Sequence, residues 1–428
     1  MRLELGRIKI KDIQFGEKTV VKEGTLYVNR AELIKFLKED NRIADVDVDL
    51  ARPGESIRII PVKDVIEPRV KVSGKGCIFP GILGKPETVG EGRTHVLDGV
   101  CVITAGKIVG FQEGIIDMTG PGAQYTPFSK TNNIVVVCHP EVGLSKHDHE
   151  AAVRIAGLKA AKYLGEAGKE VEPDEINVFE TLPLKETLNM YPNLPRVAYV
   201  YMLQSQGLLH DTYVYGVDAK RIIPTFIYPT EIMDGAVISG NCVSACDKNT
   251  TYHHLNNPVI RELYNRNGKD INFIGVIITN ENVTLADKQR SSDYTSKLVE
   301  YIGADGVIIT EEGFGNPDTD LIMNCTKLEE KGIKTVIIAD EYAGRDGMSQ
   351  SLADASKSAD AMVSVGNANE LITLPKLDKV LGDIDAAEVI AGGFSGSLSE
   401  DGSMIVEIQA IIGSTNELGL SYLSAVKY

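Results

Sequence analysis

The chain has 428 residues, enough for two or three domains with substantial cores. Hydrophobic residues make up 43% and charged residues 24%, the balance of a soluble globular protein. A net charge of −16 excludes a polyanion partner such as nucleic acid and a polybasic membrane contact, leaving small molecules and other proteins.

No apolar run reaches membrane-spanning length, and the opening Met1-Arg2-Leu3-Glu4-Leu5-Gly6-Arg7 alternates like a strand. No signal peptide is expected, and the expected location is the cytoplasm. Six cysteines, at positions 77, 101, 138, 242, 246 and 325, are too sparse for a disulfide framework and are expected reduced.

Residues 1–130 read as a β-rich region with one short helix near Arg30–Glu39, which Asn29 and Glu32 would cap as a box. Asp45, Asp47 and Asp49 alternate with apolar residues. They read as a solvated strand face, with a metal site as the rival reading. Arg52-Pro53-Gly54-Glu55 is a turn, and Gly74–Gly92 a glycine-rich loop.

Residues 131–241 form an α/β segment. Ile134–Cys138 reads as a strand buried on both faces. A helix follows from about His149 to Gly165, with Ala152, Val153, Ile155, Ala156 and Tyr163 on its inner side. Further strands are predicted at Arg196–Met202, Thr212–Tyr215 and Ile222–Ile227.

Residues 242–428 read as a parallel α/β domain, and within it residues 259–385 carry the clearest periodicity. Apolar runs at Phe273–Ile278, Gly306–Ile309, Thr335–Ile338 and Ala361–Val365 alternate with helical patterns at Leu285–Ile302, Thr319–Lys331 and Met348–Ser358. The fold class is therefore α/β, with a doubly wound, mostly parallel sheet in the C-terminal half. Ligands sit beyond the carboxyl ends of such strands, which here are polar and acidic: Glu281, Glu311, Glu312, Asp340 and Glu341. Turns are expected at Gly392–Gly396 and Glu400–Gly402.

The stretch Ile238-Ser239-Gly240-Asn241-Cys242-Val243-Ser244-Ala245-Cys246 carries the candidate chemistry. A thiol can attack the carbonyl that precedes it and turn the amide into a thioester. Loss of the Cα proton then expels the upstream thioacid. The dehydroalanine left behind tautomerises to an imine, and water converts it to a ketone. Cys242 would thus become a pyruvoyl group, a built-in electrophile that forms a Schiff base with an amine. Gly240 and Asn241 tolerate the tight backbone this requires. A buried structural cysteine is the competing reading of Cys242 taken alone.

The run Asp234–Lys248, with Thr250-Thr251-Tyr252-His253-His254-Leu255-Asn256-Asn257-Pro258 behind it, resembles the cleavage region of the component B proproteins of glycine, sarcosine and betaine reductases. Leu3–Gly6 and Pro61–Val70 look like the same family, and the resemblance spans the chain. It implies scission between Asn241 and Cys242 and a pyruvoyl cofactor made from Cys242. It also implies two associated fragments, 1–241 and 242–428. The implied partners are a selenocysteine-containing subunit of component B, the small selenoprotein A and the acetyl-phosphate-forming component C. In the implied reaction the glycine amine forms a Schiff base with the pyruvoyl group. A selenolate then displaces nitrogen at the α-carbon, giving a carboxymethyl selenoether, and hydrolysis releases ammonia.

Other residues carry two readings each. Cys246 would share a helical face with Cys242 and is a second redox thiol or a packing residue. His253 or His254 is an acid or base in processing or catalysis, or has an ordinary structural role. Cys138, His139, His147 and His149 offer zinc ligands without a standard spacing. They read as a polar loop beside the cleft, and no metal is assigned. Sarcosine or betaine could replace glycine as substrate, and an uncut α/β scaffold subunit is the alternative from a different class.

Overall fold

In a computed structural model, the structure describes residues 1–110, 112–207, 209, 212–240, 244–349 and 356–419. The fold is mixed α/β, as the alternation of patterns implies. Six strands form its main parallel sheet, in the order Thr225–Ile227, Asn272–Asn280, Arg196–Leu203, Gly306–Thr310, Lys334–Glu341, Ala361–Asn367. All neighbours are parallel except the edge strand Thr225–Ile227. The four strands predicted from apolar runs are all present. The strand Arg196–Leu203, from the upstream half of the chain, lies between the first two of them, and Ala198–Leu203 is buried.

Helices Leu285–Tyr301 and Asn316–Glu330 connect the strands. Thr284 caps the first by accepting from the Asp287 N–H at 3.2 Å. Leu321, Cys325 and Leu328 bury the inner stripe of the second, while Ile322 is half-buried. The helix expected at Met348–Ser358 falls largely on residues outside those described. Residues 348–349 and 356–358 are not helical.

The N-terminal region is β-rich, with a small sheet of Asp12–Phe15, Thr25–Val28 and Val20–Lys22 and two larger ones. One holds Glu175–Glu180, Arg2–Lys9, Gly92–Asp98 and Arg69–Lys71. The other orders Gly114–Asp117, Ile57–Ile66, Val100–Gly106, Asn132–Pro140 and Ile43–Ala51, and Lys379–Gly382 joins it on Ile57–Ile66. Asp45 and Asp49 pair with Lys38 at 3.0 Å and Lys379 at 2.5 Å, and Asp47 Oδ2 lies 3.1 Å from His139 Nε2. That is a salted strand face.

Two local expectations are corrected. The short helix spans Arg30–Leu37, and Asn29 accepts from the Glu32 N–H, but the Glu32 carboxylate accepts from Tyr163 Oη at 3.1 Å and does not close the box. The second helix runs Lys146–Gly165 and starts three residues earlier than the expected His149. Ser145 caps it by accepting from the Asp148 N–H at 3.1 Å. On this helix Ala152, Val153 and Ala156 are buried as expected, but Ile155 and Tyr163 are half-buried and Arg154 is buried.

The helix lies directly on the sheet because Gly157 has no side chain. A Cβ there would sit 2.3 Å from Thr104 Cγ2. The short helices Thr251–Leu255 and Pro258–Arg266 follow the candidate stretch and are capped by Thr250 and Asn257.

Candidate functional site

Asn241 and Cys242 lie outside the described residues, as does Val243. The chain on both sides of them is buried and held at identifiable atoms. Upstream, the Ser239 N–H donates to Thr251 Oγ1 at 3.1 Å, and Lys248 Nζ donates to the Gly240 carbonyl at 2.6 Å. Downstream, the Ala245 carbonyl accepts from the Gly413 N–H at 2.7 Å, and the Cys246 carbonyl from the Thr415 N–H at 3.3 Å. Ala245 also packs so closely on Gly114 that a Cβ there would lie 2.4 Å from its own.

Lys248 is fully buried at 0% exposure. Its charge is felt by Asp64, Glu150 and Glu312, which it favours in their ionised forms. Asp64 accepts from the Thr251 N–H at 2.9 Å and from Thr251 Oγ1 at 2.7 Å. Thr251 thereby links this carboxyl to the Ser239 backbone. Burial pushes Asp64 up to about 6, against the pull of Lys248.

Glu312 accepts from Thr212 Oγ1 at 2.7 Å and from the Asn249 N–H at 3.2 Å, and burial pushes it up to about 7. Burial raises Asp247 as well, with the Glu312 charge adding to the rise, and raises Glu281 far above the carboxylate range. These groups sit where the parallel strands end, as the acidic loops implied. Carboxyls near 6 and 7 exchange protons readily at neutral pH.

Cys246 is buried in a turn, not a helix, so it shares no helical face with its neighbours. Its Sγ lies 3.2 Å from Tyr342 Oη, and burial holds the thiol well above its ordinary range. Among the described residues, Cys246, Asp247 and Asp340 are the one set of three or more His, Cys, Asp and Glu side chains close enough to share an ion. Cys138, His139, His147 and His149 are not brought together in that way: Cys138 is buried in its strand and His139 is exposed against Asp47.

His253 and His254 are fully buried on the helix Thr251–Leu255, and burial pushes both down to about 3, so both are neutral. His253 Nδ1 accepts from the Thr250 N–H at 3.2 Å, which leaves the proton on Nε2. That Nε2 has no hydrogen-bond partner among the described residues. It lies against Gly413, where a Cβ would approach it to 3.4 Å. His254 Nδ1 meets Tyr201 Oη at 2.7 Å.

The sequence reading placed Glu312 at a ligand-facing strand end but missed Lys248, Asp64 and Arg154 as site residues. One signal was available: Lys63 and Asp64 interrupt Ile57–Ile66, an apolar strand buried along its whole length. Charges inside such a run call for partners.

The site thus combines a chain buried and pinned on both sides of residues 241–243, carboxyls that burial raises toward neutral pH, and an N–H of His253 with no acceptor among the described residues. The chain matches, over residues 1–426, the model of the glycine/sarcosine/betaine reductase component B subunits, and it belongs to that family. It is 68% identical, over the full length of both chains, to "Glycine reductase complex component B subunits alpha and beta" of Acetoanaerobium sticklandii. It is 62% identical, again over both full lengths, to "Sarcosine reductase complex component B subunit alpha" of Peptoclostridium acidaminophilum. A more distant relative, "D-proline reductase proprotein PrdA" of Acetoanaerobium sticklandii, is 24% identical over 78% of this chain and 54% of its own. No solved structure matches the chain. No described helix is long and apolar enough to cross a membrane.

Proposed function

We propose that this chain is a precursor that severs itself between Asn241 and Cys242, and that residue 242, as a pyruvoyl group, serves the reductive deamination of glycine within a selenoenzyme complex. The observation that carries the reading is the paired anchoring around the cut: Lys248 on the Gly240 carbonyl, and Gly413 and Thr415 on Ala245 and Cys246. A backbone held on both sides can keep a reactive geometry through several steps. The names of the relatives add support. One gives two subunits, alpha and beta, to a single chain of this length, and another is called a proprotein.

When present, a pyruvoyl carbonyl takes up the substrate amine and draws electrons from the α-carbon. This chain's residues supply the surroundings. Lys248 fixes the peptide before the scissile one, and its charge balances the buried carboxyls. Asp64, through Thr251, and Glu312 hold protons that leave and return near neutral pH. His253 offers a neutral Nε2–H. The selenolate belongs to a partner subunit, so this chain by itself performs only the steps up to substrate capture.

Sarcosine is the second reading, because the chain is 62% identical to a sarcosine reductase subunit and a secondary amine can also condense with a ketone. Borohydride trapping with labelled glycine and sarcosine, read on the fragment that begins at residue 242, ranks the two. Label from glycine at the lower concentration supports the first reading. An uncut chain that takes no label would make the protein a non-catalytic subunit.

A further inference from the structure

A narrow cavity adjoins the segment that precedes the cut. It is lined by Ser239, Gly240, Lys63, Asp64, Thr104, Glu150 and Arg154. Most of its charges are committed elsewhere. Lys63 Nζ donates to Glu113 Oε1 at 2.8 Å, and Asp64 is held by Thr251.

Arg154 differs. It is 9% exposed, and its guanidinium lies over the Tyr213 ring, 4.3 Å from the centroid. Its Nε and Nη1 have no hydrogen-bond acceptor among the described residues. Its counter-charge, Glu150 Oε2, stands 3.4 Å from Nη1. Burial raises the Glu150 carboxyl, which weakens it as an anion.

Two donors of a buried guanidinium left unmet among the described residues are costly, and Glu150 meets them with an ion pair only at 3.4 Å, so the arrangement calls for a further acceptor. The planar fork of a guanidinium matches a carboxylate. We propose that Arg154 is the seat of the substrate carboxylate, resting on the reading that the substrate amine is captured at residue 242. Gly240, which lines the same cavity as Arg154, precedes Cys242 by two positions in the sequence. The acids that the family is named for differ in the methylation of nitrogen and share the carboxylate. A fixed carboxylate seat beside a variable amine end suits all of them.

The test compares matured wild-type protein with Arg154→Gln and Arg154→Lys. Each is trapped with cyanoborohydride in isotope-labelled glycine or glycinamide, which lacks the carboxylate. Mass spectrometry reads label on the fragment beginning at residue 242 against amine concentration. The intrinsic reactivities of the two amines cancel when the variant is divided by wild type. Arg154→Gln is expected to raise the glycine concentration for half-labelling at least about 10-fold while leaving glycinamide unchanged, the loss of a charge-assisted contact.

Arg154→Lys, which keeps the cation, is expected to fall between the two and serves if the Gln variant fails to mature. An undiminished glycine preference in either variant overturns the seat and leaves the pyruvoyl reading intact. Fragments that separate in Arg154→Gln with preference unchanged would also overturn it, assigning Arg154 to the new carboxyl terminus at Asn241. No label on wild-type protein from either amine overturns both readings.

Discussion

Lys248 is a buried ammonium whose hydrogen bond runs to a backbone carbonyl two residues before the proposed cut. Replacing it by Met keeps most of the volume and removes the charge. A charge-assisted hydrogen bond contributes about 1.5–3 kcal/mol, so Lys248→Met should slow self-cleavage by roughly 10–100-fold. A time course on denaturing gels measures this, and wild-type kinetics would remove Lys248 from the account. Cys242→Ala, which has no nucleophile, should stay a single band at all times.

Glu312 supplies a signed pH test. Its carboxyl is pushed up to about 7 by burial, so folding favours the protonated form. The stability it contributes is full below the ordinary glutamate range near 4.5 and is lost as pH rises through about 7. Glu312→Gln stays neutral throughout. The stability of the variant minus that of wild type should therefore climb from pH about 4.5 to 7 and then level off, by on the order of 3 kcal/mol. Denaturant titrations across that range decide it; a flat or falling difference would contradict the burial cost assigned to Glu312. The two histidines act oppositely: pushed down to about 3, they lose stability as pH falls from about 6.5. The difference experiment cancels them.

Residue by residue, the Cys242 stretch and the acidic strand ends were legible in the sequence. It concealed Lys248, Asp64 and Arg154, because a charged side chain read locally belongs on the surface. Their burial comes from packing between segments far apart in the chain. Asp64 meets Thr251 across 187 positions.

Among the elements, the helix Lys146–Gly165 illustrates how packing overrides propensity. In an isolated helix Gly157→Ala would gain about 1 kcal/mol. Here the added carbon would lie 2.3 Å from Thr104 Cγ2 and 3.0 Å from Ile66 Cδ1. Overpacking costs about 1–3 kcal/mol, so a net loss of stability is expected by chemical denaturation, and a gain would show that the helix is free to move. This helix also carries Glu150 and Arg154, so the same change should disturb the cavity beside Gly240. Apolar periodicity revealed the helices and strands well, since each buries a stripe. It placed the helix start late because Ser145, a cap, lies outside the stripe. It could not order the strands, which is set by crossovers between distant segments.

For the whole molecule, the important feature is the strand Arg196–Leu203. It sits between Asn272–Asn280 and Gly306–Thr310, with its apolar interior buried. Strand Lys379–Gly382 reaches the other way and pairs with Ile57–Ile66. A cut at Asn241 would leave each fragment completing a sheet of the other. Nothing in local sequence discloses that exchange. The two fragments should therefore elute together under native conditions and separate only where denaturant unfolds the sheet. Separate elution without denaturant would contradict the topology.

Mass spectrometry of the freshly purified protein bears most directly on the chemistry. Two chains are expected, one ending at Asn241 and one beginning at residue 242 with the cysteine's sulfur and amino group lost. A single unbroken polypeptide with the Cys242 thiol intact would contradict the proposal.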